Sequence, residues 1–469
     1  MPDDLNARTR NSTKLKIPGP QRTTLSMLRF YRAPLTFQQR IHHDYGNIVA
    51  IGQRNRPRYV FAFGPELNRE ILTSSDTFEI SSALLKVPKH NELGQLFYHN
   101  LSLMKGEQHK QHRRLMQPAF HHQQIRYYEA SILNETKHIA KEWEHRSIID
   151  LNLEMKNLTQ RIAMKTLFGL TDEKQIEALG KHVHQLTQSI LWVTLVPIYF
   201  PFTPYWRALR QARIIQTILN SLIEHKRKEA KATDVFASLV QAHDEDGTAL
   251  TDSELIGHAF TLFVAGHETT ANALSWTIFL LQQHPQAMTR VIEEIDGLQT
   301  DEDITTYVRS TSTYLEHAIK ESLRLLPPAS IGVRVTHSAC QLSNYHIPAN
   351  TQIFYSPFIT HRLPELYEDP HRFKPERWGG IKPTPYEYIP FSAGPHMCIG
   401  WSFAMHEMKI VLTILLKRYA FTIQQQTPIT PNLMMRPVKG MPMRISPQRY
   451  SFKRVSVKGT INQLIDWST

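Results

Sequence analysis

The chain has 469 residues, 41% apolar and 20% charged, with 54 Lys and Arg against 42 Asp and Glu, a net charge of +12. That balance excludes disordered and fibrous classes, and two cysteines exclude a disulfide framework or a four-cysteine zinc site. A positive surface favours acidic partners. With the cations scattered and no aromatic–basic motif, no nucleic acid is expected, and a small acidic protein is at least as good a candidate.

In chain order, residues 1–17 are polar and read as a flexible N-terminal segment ending at the stiff Pro18-Gly19-Pro20. The start, Met1-Pro2-Asp3-Asp4, lacks the basic and apolar regions of a signal peptide. Strand-forming pieces at 48–51 and 59–63 precede Gly64-Pro65, a turn and helix start. From about 105 onward helical patterns dominate, and 126–169 carries the mixed three- and four-residue apolar spacing of amphipathic helices. The apolar, aromatic, proline-rich stretch 190–205 is expected to be a loop between two helices: a packed connection, a substrate mouth or a membrane-touching lip. Its apolar run is too short and proline-broken for a transmembrane anchor of about 20 residues. A soluble, cytoplasmic protein is the expectation.

Thr251 followed three residues later by Glu254 is a capping box. The helix it opens meets no breaker before Pro285, about 33 residues or roughly 50 Å, enough to cross the core of one large domain. A second box, Thr313 with Glu316, opens a helix stopped by Pro327-Pro328. Short strands follow, then a loop-rich stretch at 361–397, a helix at about 399–418 and a β-like tail. Residues 18–448 read as one domain and 449–469 as a C-terminal extension. The glycines form no G-x-G-x-x-G and no Walker A loop. His267-Glu268 and His406-Glu407 lack the second histidine of a zincin helix, since Ala271 and Ile410 stand there. Gly400-Trp401-Ser402 lacks the closing glycine of a nucleophile elbow, since residue 404 is Ala404.

The chemistry concentrates between Phe391 and Gly400. Gly394 and Gly400 bracket Cys398, and a helix is predicted directly after it. A thiolate there meets free helix N–H groups and the positive dipole end, which lower its pKa and temper its donation to a metal. The glycines let backbone approach a flat ligand, and Phe391 can cover the sulfur. Most free cysteines are simply small buried hydrophobes. The pattern F-x-x-G-x-x-x-C-x-G, however, arises by chance in about one of ten thousand chains of this composition.

On these residues the chain resembles the cytochrome P450 superfamily, over about 18–448. The resemblance implies a mainly α fold with small β-sheets in one P450 domain, with haem b between the long helix and the helix after Cys398. It makes Cys398 the axial thiolate of the iron, and leaves Cys340, which matches no motif, as a strand residue. Ala265-Gly266-His267-Glu268-Thr269-Thr270 is similar to the family's oxygen-activation motif. Ala265 and Gly266 leave room for a diatomic ligand, and Glu268 and Thr269 form the acid–alcohol pair that relays protons. Alone, such residues mean back-bonding and a solvated edge; His267 reads as packing or surface.

Glu321 and Arg324 share a helix face and alone would be a surface ion pair worth under about 1 kcal/mol. With Arg377 in Phe373-Lys374-Pro375-Glu376-Arg377-Trp378, the resemblance makes them a buried network that holds the cysteine loop. Arg113, Arg334 and His396 are implied as propionate partners, together with His109, which stands where the family usually has tryptophan.

The family's pocket segments correspond to 80–103, 191–202, 263–269, 329–333 and 432–437. From these come the candidate contacts Phe263, Ala265, Thr269, Ala329, Ile331, Val333 and Met434. Their apolar character suggests a terpenoid or fatty-acid-like substrate. With no reductase attached, a ferredoxin or flavodoxin with its NAD(P)H reductase is the expected partner. It would be steered by a basic face of His109, Lys110, Arg113, Arg114, Lys409, Lys417 and Arg418. The implied activity is O2-dependent hydroxylation or epoxidation. The alternatives on the same scaffold are a haem-thiolate isomerase, dehydratase or peroxygenase, or a non-catalytic haem sensor.

Overall fold

The helix capped by Thr251 is the spine of the molecule. In the computed structural model, which describes residues 16–53, 56–80, 87–88, 90–195, 199–229, 231, 234–448 and 452–468, it spans Asp252–Gln283. Thr251 accepts the Glu254 N–H, and the Glu254 carboxylate accepts the Thr251 N–H at 2.9 Å. Residues 255–260 and 270–283 are buried, so the helix crosses the core along most of its length. Its main neighbour is the helix Leu151–Phe168, joined through Asn152 Nδ2, which donates to Asn272 Oδ1 at 3.0 Å and Ser275 Oγ at 3.2 Å. The helices Tyr314–Leu325 and Trp401–Arg418 also pack against it.

The sheets are small. One has the strand order Ile48–Ile51, Tyr59–Ala62, Gln352–Tyr355, Gly332–Thr336, Phe78–Ile80, with only the second and third strands parallel. Phe61 and Phe354 stack on it at 4.7 Å. A second, antiparallel sheet joins Ile148–Asp150, Pro442–Pro447 and Tyr419–Ile423, and Cys340–Leu342 pairs with Tyr345–Ile347. Cys340 is thus a strand residue.

Two local expectations change, and a third is refined. The helix Glu173–Leu195 continues through 190–195, because nothing before Pro197 breaks it, so the connection is shorter than 190–205. The next helix, Pro204–Lys226, starts where Thr203 accepts the Trp206 N–H at 3.2 Å. The stretch 126–169 is divided by the strand Ile148–Asp150 into helices His122–Glu142 and Leu151–Phe168. The box at Thr313 is only half formed: Thr313 accepts the Glu316 N–H, but the Glu316 carboxylate pairs with Lys320 at 2.7 Å and Lys409 at 3.0 Å. Two ammonium groups hold that carboxylate more strongly than one backbone amide.

Of the N-terminal segment, 1–15 lie outside the described residues. Ile17 is buried, and the carbonyls of Pro18 and Pro20 accept the Ala50 and Gly52 amides. Residues 452–468 pack on the body, with Ile461, Leu464 and Ile465 buried. Trp467 lies against Phe279 and His284, and Asp466 bonds Arg372 Nε at 3.1 Å.

Candidate active site

Cys398 ends a loop of tight backbone turns. Its N–H donates to Phe391 O at 2.9 Å, and the Met397 N–H donates to Gly394 O at 3.0 Å. Gly394 has φ +69°, and a Cβ there would sit 2.2 Å from Leu72 O. The neighbouring helix end therefore requires a glycine here. Gly400 is open, with Phe120 at 3.8 Å from a notional Cβ. Cys398 is accessible yet densely surrounded, as a group lining an internal cleft is. Burial raises its thiol above the ordinary value, while the Gly400 amide and Arg113 pull it down. In the protein alone, desolvation outweighs the helix-terminus effect expected from the sequence.

The second accessible stretch inside the core lies mid-way along the long helix. Ala265 and Gly266 are exposed there, between the two buried runs. Thr269 is half-buried and donates its hydroxyl to Ala265 O at 2.6 Å, the back-bonded geometry, which leaves the oxygen lone pairs free to accept. Glu268 meets Lys156 Nζ at 2.8 Å. Burial raises the Glu268 carboxyl, but Lys156, with His267 and Arg436, more than offsets this and holds it below the usual range. Residues 263 and 267 lie on another side of the helix: His267 stacks on Phe263 at 4.7 Å and bonds Phe263 O at 2.7 Å. Phe263 also packs against Phe168 and is fully buried, so it is core rather than pocket wall. Ala329 and Met434 are exposed and Ile331 and Val333 half-buried. Within the expected pocket segments, 81–86, 89 and 196–198 lie outside the described residues.

Four donors gather beside the cysteine loop. Arg113 Nη1 donates to Met397 O at 2.8 Å. The His109 ring lies 3.8 Å from that of His396, and His109 Nε2 is buried without a hydrogen-bond partner among the described residues. Arg334 is buried over the Tyr355 ring at 5.3 Å and bonds Val333 O at 3.0 Å. Burial, then His109, Arg334 and Arg113, push the His396 pKa down to about 3. Among the described residues none of the four has a carboxylate partner within ion-pair distance. Such an uncompensated cluster fits the dianionic edge of a porphyrin.

Behind the loop, Glu321 and Arg324 are both wholly buried. Glu321 accepts five hydrogen bonds: Arg324 Nε and Nη2 at 2.9 Å, Arg377 Nε at 3.0 Å, Trp378 Nε1 at 3.0 Å and the Lys374 N–H at 2.9 Å. Arg324 also donates to the carbonyls of His361, Pro370 and Arg372. The network continues to the loop: Trp378 packs on Tyr388 at 4.6 Å, and His361 Nε2 accepts the Ile389 N–H at 2.9 Å, two residues before Phe391.

Residues 18–451 match the profile of the family described as Cytochrome P450. The chain belongs to the cytochrome P450 family. It is 33% identical to cyclooctat-9-en-7-ol 5-monooxygenase of Streptomyces melanosporofaciens, over 84% of this chain and 86% of that one. Pentalenene oxygenase of Streptomyces avermitilis is 27% identical, over 85% and 89%. The retinoic acid-bound cyanobacterial CYP120A1 shares the fold with a TM-score of 0.79 at 24% identity, covering 92% of this chain and all of that one. The protein is thus a P450 monooxygenase with a haem-iron cofactor. A bound haem supplies iron that takes up O2, with thiolate donation favouring O–O cleavage.

The P450 surface differs from the basic face expected of it. Lys409 is buried against Glu316 and Ser310 O, and Lys417 bonds the carbonyls of Asp296 and Leu298. Arg418 pairs with Glu144, Lys110 with Glu107, and Arg114 with Glu245, while His109 is buried. Counting cations could not reveal these pairings. What adjoins the cysteine loop is a groove of about 810 Å³ that includes Phe391, Met397, Trp401 and Met405, with His122 and Arg126 also along it. Sequence reasoning also missed Lys156, Trp378 and His361; Trp378 sits beside Arg377 in a recognised motif, but no local pattern marks Lys156 or His361. No described helix is long and apolar enough to cross a membrane.

Proposed function

We propose that this P450 inserts one oxygen atom of O2 into a C–H bond or an alkene of a lipophilic, terpenoid- or fatty-acid-like molecule. Two electrons and two protons reduce the other atom to water. The observation that carries this reading is the Glu268–Thr269 pair beside the accessible Ala265–Gly266 stretch. Thr269 keeps its oxygen free to accept a hydrogen bond, and the ionised Glu268 carboxylate can take up a proton from solvent and pass it inward. Cys398 would hold the iron of haem b, Arg113, Arg334, His396 and His109 its propionates, and the Glu321–Arg324–Arg377 network the loop. Ala265, Thr269, Ala329, Ile331, Val333 and Met434 would contact substrate. Two relatives are named for cyclooctat-9-en-7-ol and pentalenene, by their names an unsaturated alcohol and an alkene, which supports an apolar substrate.

Electrons would come from a ferredoxin or flavodoxin, reduced by an NAD(P)H reductase, docking over the groove at Phe391, Met397 and Trp401. Free Cys340 and Cys398 suit the reducing cytoplasm. The test is turnover of lipophilic candidates with surrogate redox proteins. NAD(P)H consumption matched by oxygenated product supports the proposal. Product without NAD(P)H assigns an isomerase, dehydratase or peroxygenase. Ligand-induced spin shifts with no turnover assign a sensor.

A further inference from the structure

Two buried histidines belong to neither the cysteine loop nor the Glu268–Thr269 pair. His258 lies on the long helix, about two turns before Ala265. His112 lies on the helix Gly106–Met116 and directly precedes Arg113. They are 1% and 4% exposed. Their bonds run in one direction. The Leu101 N–H can only donate, and it meets His258 Nδ1 at 3.2 Å, so the proton of the neutral ring is on Nε2. That nitrogen lies 2.9 Å from His112 Nδ1, which must then accept. The His112 proton is therefore on its own Nε2, 3.3 Å from Glu254 Oε1. Glu254 Oε2 in turn accepts from the Thr251 N–H and hydroxyl at 2.9 and 2.8 Å.

Every polar atom of both rings is thus matched, and a second proton on either would set two donors against each other. Burial, then His112, push the His258 pKa down to about 3, and burial lowers that of His112 against the pull of Glu254. The relay joins the segment before the helix Gly106–Met116 to that helix and to the long helix. Contact there is close, since a Cβ on Gly257 would sit 2.0 Å from His99 O. The helix Gly106–Met116 is also tied through Gln111 to Asp244 at 2.6 Å and Arg114 to Glu245 at 3.3 Å, but these end on a turn. Among the described residues, His112 is its side-chain tie to the long helix. Successive helix residues point about 100° apart, so holding His112 fixes the direction of Arg113, and of His109 three positions back on nearly the same face. The relay does this without adding a formal charge beside Arg113.

We propose that His258 and His112 are positioning residues for the haem: their relay sets the rotation of the helix Gly106–Met116 and so aims Arg113 and His109 at the propionates. This rests on the assignment of Arg113 and His109 to the propionates. It is independent of which substrate the enzyme oxidises.

The experiment measures haem transfer from the ferric holoprotein to excess apomyoglobin, with the reduced carbonyl spectrum reporting thiolate ligation in each variant. His258→Phe keeps a ring but breaks both bonds, and is expected to release haem at least about tenfold faster than wild type. His258→Gln can accept from Leu101 with its amide oxygen and donate to His112 with its amide nitrogen, and is expected to stay within about threefold of wild type. In an Arg113→Gln background, which by itself releases haem faster, His258→Phe should add no more than about threefold, because the group it aims is gone. His258→Asn, too short to reach both partners, takes the place of the phenylalanine variant if that one binds no haem. The proposal is overturned if breaking the relay leaves release at the wild-type rate, or if the glutamine variant releases haem as fast as the phenylalanine one. It is equally overturned if the losses at His258 and Arg113 are additive. An Arg113→Gln protein that holds haem as wild type does is a distinct result: it refutes the propionate assignment, and the proposal with it.

Discussion

Replacing Glu321 by alanine should cost the protein its haem before it costs anything else. The carboxylate accepts five hydrogen bonds, two of them from an arginine with no exposed surface. Its removal leaves Arg324 with three carbonyl acceptors but no counter-charge, and Arg377 with the carbonyls of Glu368 and Asp369. Breaking one side of such a buried pair costs about 3–5 kcal/mol, against under about 1 kcal/mol for an exposed pair. That is a large part of a typical total of about 5–15 kcal/mol. Because Glu321 anchors Trp378 and, through it, Tyr388, the loss falls on the segment leading into Phe391 and Cys398. Glu321→Gln is the stricter probe: it keeps the volume but turns an amide toward guanidinium donors, so it should fail nearly as badly. The assays are haem per polypeptide from the Soret band and the urea midpoint at constant m-value. A glutamine variant with full haem content and an unfolding free energy, midpoint times m-value, within about 1 kcal/mol of wild type would refute the reasoning.

Thr269→Ala should keep haem and substrate-induced spectral shifts but divert reducing equivalents to hydrogen peroxide, measured as peroxide per NAD(P)H; unchanged coupling would remove the role given to the hydroxyl. Lys156→Met should let burial raise the Glu268 carboxyl, which Lys156 now holds down, so the acid limb of the kcat–pH profile moves to higher pH; a profile that stays in place denies the ion pair that influence. Leu464→Ala, in the buried tail, should cost about 2–5 kcal/mol in denaturant unfolding, whereas an idle extension would cost nothing measurable. Gly394→Ala should impair haem uptake, because its Cβ would collide with Leu72 O; normal uptake would mean that the loop can shift.

What could be read from the sequence was local. The capped helix from Thr251, the loop around Cys398 and the three-residue step from Glu321 to Arg324 each lie within one segment, where spacing alone fixes which residues share a face or a turn. What could not be read depends on partners far along the chain. Lys156 reaches Glu268 across 112 positions and Lys409 reaches Glu316 across 93, so neither a held carboxylate nor a neutralised basic face was visible. Phe263 was misplaced for a subtler reason: it belongs to the oxygen-activation helix, but with His267 it turns toward Phe168 while Ala265, two positions on, lies on another side and is exposed. Motif membership gave the segment, and only the helical phase gave the side.

Arg372 joins two parts of the protein that the sequence keeps far apart. Its carbonyl accepts from Arg324, and its side chain is clasped by Asp466 and Ser468. The scaffold behind the iron-binding loop is therefore tied to a residue 94 positions further along, and a nascent chain can make that tie only once this later segment has emerged.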